Sequence, residues 1–182
     1  AREALAGRDG LVVAVANSPV NSILSGRREA LAEVTALLSV RGIKCTMLDI
    51  PIAAHSPLVE PILDAFGRLA GGMTMENPRI PLMSNVTGGQ VGAEVTTAEY
   101  WVRHFRETVR FGENLAALDH LGYRTLLEIG PHPTLLGIAE ENLERDGRAW
   151  AASLEKDRPD ARQIRRALGT LFTAGVAIDW TA

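Results

Sequence analysis

The sequence has a single cysteine, Cys45, and only 5% aromatic residues. One thiol excludes an internal disulfide and is typical of a reducing compartment, so we expect a cytoplasmic protein. The net charge is -3, which gives no electrostatic reason to expect nucleic acid or an anionic membrane as a partner. No apolar run approaches the roughly 20 residues of a membrane span.

Several catalytic and binding motifs are also missing. No histidine pair has metal-ligand spacing and no cysteine cluster is present, so we predict no metal site. No glycine-rich phosphate loop occurs, which argues against nucleotide chemistry. The G-x-S-x-G elbow of a serine nucleophile is absent around every serine: Ser18, Ser22, Ser25, Ser39, Ser56, Ser84 and Ser153.

The first 50 residues follow an α/β pattern. Residues 1–10 are typical of the end of a helix, and apolar runs then predict strands over 11–16 and 22–26. Helical spacing over 28–40 is followed by an apolar run at 43–50, which we interpret as a further strand. The order β-β-α-β is most of a ferredoxin-like unit without its first strand and most of its first helix.

A helix start directly follows His55. Ser56 is a good N-cap and Pro57 suits the first helical position. The helix end should carry about half a positive charge beside the imidazole, which favours the neutral ring that can accept a proton. A structural histidine bonded to backbone is the commoner alternative at such a place. The predicted buried face of this helix comprises Leu58, Ile62, Phe66 and Leu69.

Alternating strand and helix signals continue to the C-terminus. A capping box at Thr96 and Glu99 precedes a helix that contains His104, which fits either a core or a site position. The other predicted elements are a strand in "IPLMSNV", a helix in "FGENLAALDHLGY", a strand in "TLLEI", a helix in "GPHPTLLGIAEENLERDG" and a helix in "ARQIRRALGTLFTAGVAIDW".

Five ordered motifs indicate a family: "VANSPVNSILSG", "IAAHSPLVEPIL", "EYWVRHFRETVRF", "LLEIGPHPTLLG" and "ALGTLFTAGVAIDW". Together they resemble the acyltransferase domain of type I modular polyketide synthases with its trailing linker, over nearly the whole chain. The resemblance implies an α/β fold in three parts. These are a ferredoxin-like small subdomain over 1–70, the C-terminal part of an α/β-hydrolase-like large subdomain over 71–148, and a linker over 149–182.

The resemblance also implies a reaction. In that family an elbow serine takes an acyl group from coenzyme A and passes it to the phosphopantetheine thiol of an acyl carrier protein. His55 aligns with the general base, and the main-chain carbonyl of the residue that aligns with His104 orients it. Since the elbow serine and the family's carboxylate-binding arginine are missing, we expect the isolated chain to be inactive. Its implied partners are acyl-CoA, the carrier protein, an upstream serine-bearing half and a ketosynthase, with no bound cofactor.

The residues before the base bear on the acyl unit. Ile52, Ala53 and Ala54 precede His55, and they match neither "HAFH", the malonyl signature in the family, nor "YASH", the methylmalonyl one. The "HSPLVEP" continuation is similar to malonyl-type members, so a malonyl unit is favoured over a branched or larger one. Two other functions stay open at this point: a non-catalytic scaffold between ketosynthase and carrier protein, and a ferredoxin-like regulatory module.

Overall fold

The computed structural model describes Leu5 and residues 8–181. These residues form two compact units that divide between Asn114 and Leu115. The helix end predicted over residues 1–10 lies mostly outside the described residues. The subdomain boundaries predicted at residues 70 and 148 stay predictions. Within the described part, no helix has both the length and the apolar character needed to cross a membrane.

The first unit opens with an antiparallel hairpin followed by a helix. Strand β1 (Val12–Ala16) pairs with β2 (Ser22–Ser25), and helix α1 spans Arg28–Val40. Buried Leu11 and Val34 belong to the small core that these elements share. All three elements were predicted, because their apolar residues recur at the spacing of the element they form.

The strand predicted over residues 43–50 does not form. The segment has no regular secondary structure, and Ile43, Met47, Leu48 and Ile50 are between 45% and 59% exposed. A strand is stable only when its backbone groups bond to a neighbouring strand. No described strand pairs with this segment, so an apolar run alone was insufficient evidence.

Two packed helices carry the residues of interest. A 3-10 turn over Pro57–Val59 continues into α2 (Glu60–Gly71), and α3 spans Ala98–Arg106. The rings of Phe66 and Phe105 lie 5.4 Å apart between α2 and α3.

The predicted buried face of α2 is wrong for most of its members. Leu58, Ile62 and Leu69 are 39%, 52% and 74% exposed, while Phe66 is half-buried. Apolar periodicity shows which face of a helix favours burial, but it does not supply the surface that covers it.

A second hairpin lies before α3. Strands β3 (Leu82–Ser84) and β4 (Gly89–Val91) pair antiparallel. The cap of α3 is one residue later than predicted, since the Thr97 hydroxyl accepts from the backbone N–H of Tyr100 at 3.3 Å. Thr96 instead ends a 3-10 turn, so the capping-box spacing was misleading here.

The second unit begins at Leu115, within helix α4 (Phe111–His120). Strands β5 (Thr125–Glu128) and β6 (Ala149–Ala152) pair in parallel, with the short helix α5 (Thr134–Ala139) between them. Strand β6 was not predicted, and it occupies the start of the predicted linker. Helix α6 (Asp160–Thr173) packs on β6, as the buried cluster of Ala151, Ala167 and Leu171 shows.

Candidate active site

The backbone at His55 is held in an uncommon conformation. Its φ of 58° lies in the left-handed region, which non-glycine residues seldom adopt. The Ser56 side chain is fully buried; its hydroxyl donates to the Ala53 carbonyl at 2.7 Å and accepts from the Leu58 N–H at 3.2 Å. The N-cap predicted at Ser56 is confirmed. Strained residues of this kind persist where surrounding bonds hold them, and they concentrate at functional sites.

We expect Ser56→Ala to lower the free energy of unfolding by about 0.5–2 kcal/mol, the usual cost of losing an N-cap. Ser39 is the matched control, because its exposed hydroxyl donates to the Thr35 carbonyl at 2.8 Å within α1. Urea unfolding of both variants checks this. Ser39→Ala should change stability by no more than about 0.5 kcal/mol. Equal losses in the two variants would mean that the Ser56 cap does not stabilise the turn.

The His55 ring docks on the C-terminal end of α3. Its backbone N–H donates to the Phe105 carbonyl at 3.2 Å, and its Nδ1 lies 2.9 Å from the Glu107 carbonyl oxygen. Because a carbonyl only accepts, Nδ1 carries the hydrogen of the neutral ring and Nε2 is left as a proton acceptor. The last carbonyls of a helix lack intrahelical partners, which is why this helix end can hold another residue.

The predicted orienting carbonyl requires a correction. The bond to the His55 ring comes from Glu107 and not from His104. His104 lies within the helical turns of α3, whereas Glu107 ends the helix in an extended conformation with φ -85° and ψ 163°. The following β-branched pair, Thr108 and Val109, is the sequence signal that could have located the helix end.

The His104 side chain packs beside His55. Its ring centroid lies 6.2 Å from that of His55 and 5.7 Å from that of Trp101. Burial, and secondarily the neighbouring His55, hold the pKa of His104 below its usual value. The side chain is therefore mainly neutral at neutral pH and adds little positive charge beside His55.

Two helix ends lie next to His55. The 3-10 turn capped by Ser56 follows His55 in the chain, and the C-terminal end of α3 presents the Phe105 and Glu107 carbonyls to it. An ion pair of Arg106 with Glu60, 2.9 Å between Nε and Oε1, joins the helices; a partly exposed pair of this kind contributes at most about 1 kcal/mol.

The three residues before His55 differ in exposure. Ile52 is 62% exposed, while Ala53 and Ala54 are half-buried. Ala53 also has a structural part through its carbonyl, which accepts from Ser56. Their role in selecting the acyl unit stays a prediction. In the described part of the chain, no group of three or more His, Cys, Asp or Glu side chains is arranged to hold a metal ion.

The arrangement is that of a neutral imidazole whose outer nitrogen is free to take a proton, on an α/β scaffold. Residues 1–178 match the acyl transferase domain family, and the chain belongs to it. The phenolphthiocerol synthesis polyketide synthase type I Pks15/1 of Mycobacterium marinum is 35% identical over 176 residues, which cover 96% of this chain and 8% of that protein.

Solved acyltransferase domains share the fold. The domain from the second module of the salinomycin polyketide synthase is 38% identical, with a TM-score of 0.94 over 99% of this chain and 42% of that chain. The acyltransferase domain of SpnD, solved in complex with 2-(pent-4-yn-1-yl)malonyl, is 36% identical, with a TM-score of 0.87 over 92% and 42%. The α/β fold class and the polyketide synthase resemblance are both confirmed. The chain spans about a tenth of the length of its curated relatives and about two fifths of these solved domains.

Proposed function

We propose that this chain is the histidine-bearing part of a polyketide synthase acyltransferase, which moves an extender acyl group from coenzyme A to the phosphopantetheine arm of an acyl carrier protein. A serine in another part of the domain carries the acyl group between them. The observation that supports this most is the His55 ring, with Nδ1 on the Glu107 carbonyl and Nε2 free to accept a proton, in a chain of the acyltransferase family.

In the proposed reaction His55 takes up a proton and returns it once in each half of the acyl transfer. Nε2 takes the serine proton as the serine oxygen attacks the thioester carbonyl, and it returns that proton to the departing coenzyme A thiolate. In the second half, Nε2 takes the proton of the phosphopantetheine thiol as its sulfur attacks the serine ester. The serine oxygen leaves and regains that proton, so the enzyme ends unchanged.

Exposed apolar surface supports a serine-bearing partner portion. Residues 43–50 and the outer face of α2 present large apolar side chains to solvent, and extended exposed patches of this kind mark interaction sites. The solved relatives are more than twice as long as this chain. The serine-bearing portion covers these surfaces in the complete domain, which we define as that portion joined to this chain. A neighbouring ketosynthase and a cytoplasmic location belong to the same proposal.

The proposal is tested by intact-mass measurement on the complete domain. Incubation with malonyl-CoA should add one malonyl group to the domain, and addition of the carrier protein should move that group to the phosphopantetheine thiol. A domain that binds the carrier protein but never becomes acylated would favour the scaffold function instead.

Acyl selectivity is proposed to depend on Ala54, with a malonyl unit favoured. The substituted malonyl group bound by the SpnD domain supports a malonyl-type unit without fixing its substituent. We expect Ala54→Phe in the complete domain to lower kcat/KM for methylmalonyl-CoA more than for malonyl-CoA, because the added ring occupies the space of a C2 methyl group. The expected difference is on the order of 1–3 kcal/mol.

Competition between the two thioesters in one assay measures this difference, with a melting curve recorded beside it. If Ala54 instead packs into the core, the ring costs about 1–3 kcal/mol of stability. Equal losses on both substrates with a lowered melting temperature would remove the assignment of Ala54 to the acyl pocket.

A further inference from the structure

The peptide between Glu107 and Thr108 joins the base to the β1 strand. On one side its carbonyl oxygen accepts from Nδ1 of His55 at 2.9 Å. On the other side the Thr108 hydroxyl donates to the Val13 carbonyl of β1 at 2.7 Å, in a half-buried position. The oxygen that fixes the base thus belongs to a peptide group whose next side chain is attached to the sheet.

Backbone bonds hold the residues on both sides of Thr108, while Thr108 itself bonds to β1 through its side chain. The backbone of Val109 pairs with β1 through Val109 N–H to Ala14 O and Ala16 N–H to Val109 O, both 2.8 Å. These bonds hold the residue after Thr108. The residue before it is held by the bond from the Glu107 N–H to the Arg103 carbonyl, at 2.7 Å. The Thr108 hydroxyl bonds to β1 between these two attachments, next to the carbonyl that faces His55.

We propose that Thr108 is a positioning residue that keeps the His55 ring in the tautomer with hydrogen on Nδ1. The inference deepens the proposed function, because that tautomer is the one in which Nε2 can accept the serine proton. The residue acts through the Glu107 carbonyl and does not touch the reacting atoms. If the carbonyl turns away, the ring loses the acceptor that selects the tautomer, and Nε2–H becomes populated.

The test is two-bond proton–nitrogen correlation of the complete domain labelled with 15N-histidine, at about pH 8, above the ordinary pKa range of histidine. His55→Gln assigns the His55 signals. Thr108→Val should add a population with hydrogen on Nε2 and lower kcat between about tenfold and about 10²-fold, the scale of a misplaced catalytic group. KM should change little.

Two controls accompany the test. Thr108→Ser keeps a hydroxyl and should restore both the Nδ1–H tautomer and the rate. Thr96→Val removes a bond of the same kind and length, from the Thr96 hydroxyl to the Ala93 carbonyl at 2.7 Å, and should leave the tautomer unchanged. If Thr108→Val does not fold, Thr108→Ala removes the same hydroxyl without a branched replacement.

The outcomes for Thr108 and for the proposed function are separate. A His55 ring that stays wholly in the Nδ1–H form in both Thr108→Val and Thr108→Ala overturns the positioning role, whatever the rates are. A changed tautomer with full acyl transfer by His55→Ala would instead leave the positioning role in place and refute His55 as the base.

Discussion

His55→Ala in the complete domain is expected to lower kcat for acyl transfer to the carrier protein by about 10²–10⁴, the usual contribution of a general base. The serine hydroxyl is a weak nucleophile until a base within hydrogen-bond reach takes its proton. With Nδ1 bonded to Glu107, Nε2 is the nitrogen that can do so. Steady-state transfer of radiolabelled malonyl groups measures the loss.

The matched control for this substitution is His120→Ala. His120 is the last residue of α4 and is exposed, so its replacement should leave kcat and the melting temperature near their original values. KM should also change little in His55→Ala, because proton transfer stabilises the transition state more than the bound substrate. Near-normal loading by His55→Ala would contradict the assignment of the base.

The isolated 182-residue chain is expected to take up no acyl group at all from malonyl-CoA. Ser56 shows why proximity to the base is insufficient: it follows His55 directly, yet its side chain is fully buried and its hydroxyl donates to the Ala53 carbonyl. Ser84 is 1% exposed, and its hydroxyl is bonded to that of Tyr100. Neither presents an oxygen to a thioester, and no serine of the chain lies on a G-x-S-x-G elbow.

Intact-mass measurement of the isolated chain after incubation with malonyl-CoA checks this expectation. The complete domain under the same conditions is the positive control and should gain one malonyl group. One acyl group per isolated chain would refute the account, and peptide mapping would then identify the nucleophile that this chain contains.

Local sequence signals predicted helices and strands correctly where an element and its packing partners lie close together in the sequence. The strands at 11–16 and 22–26 and the helix at 28–40 formed as predicted, because each has its apolar spacing and its partners within one short segment. The strand predicted at 43–50 failed for the opposite reason, since its pairing partner is not among the described strands.

A candidate base could be proposed from the sequence, but the bond that holds its ring could not. The family resemblance assigned His55 as the base, since its position before a helix N-cap also fits a structural histidine; the Ser56 cap formed as predicted, and the role of His55 stays a prediction. Its partner was assigned to His104 by alignment, but the bond depends on where α3 ends and on the direction of the next carbonyl. Contacts between segments 52 residues apart in the chain are set by packing, which no local pattern in this sequence encodes.

The measurement that tests the central claim most directly is single-turnover formation of the acyl-enzyme. The complete domain is mixed with excess radiolabelled malonyl-CoA, quenched at successive times, and the protein-bound label is counted for the unchanged domain, His55→Ala and His120→Ala. If His55 takes the serine proton, His55→Ala acylates more slowly by about 10²–10⁴, while His120→Ala matches the unchanged domain. A folded His55→Ala domain that acylates as fast as the unchanged one would contradict the claim.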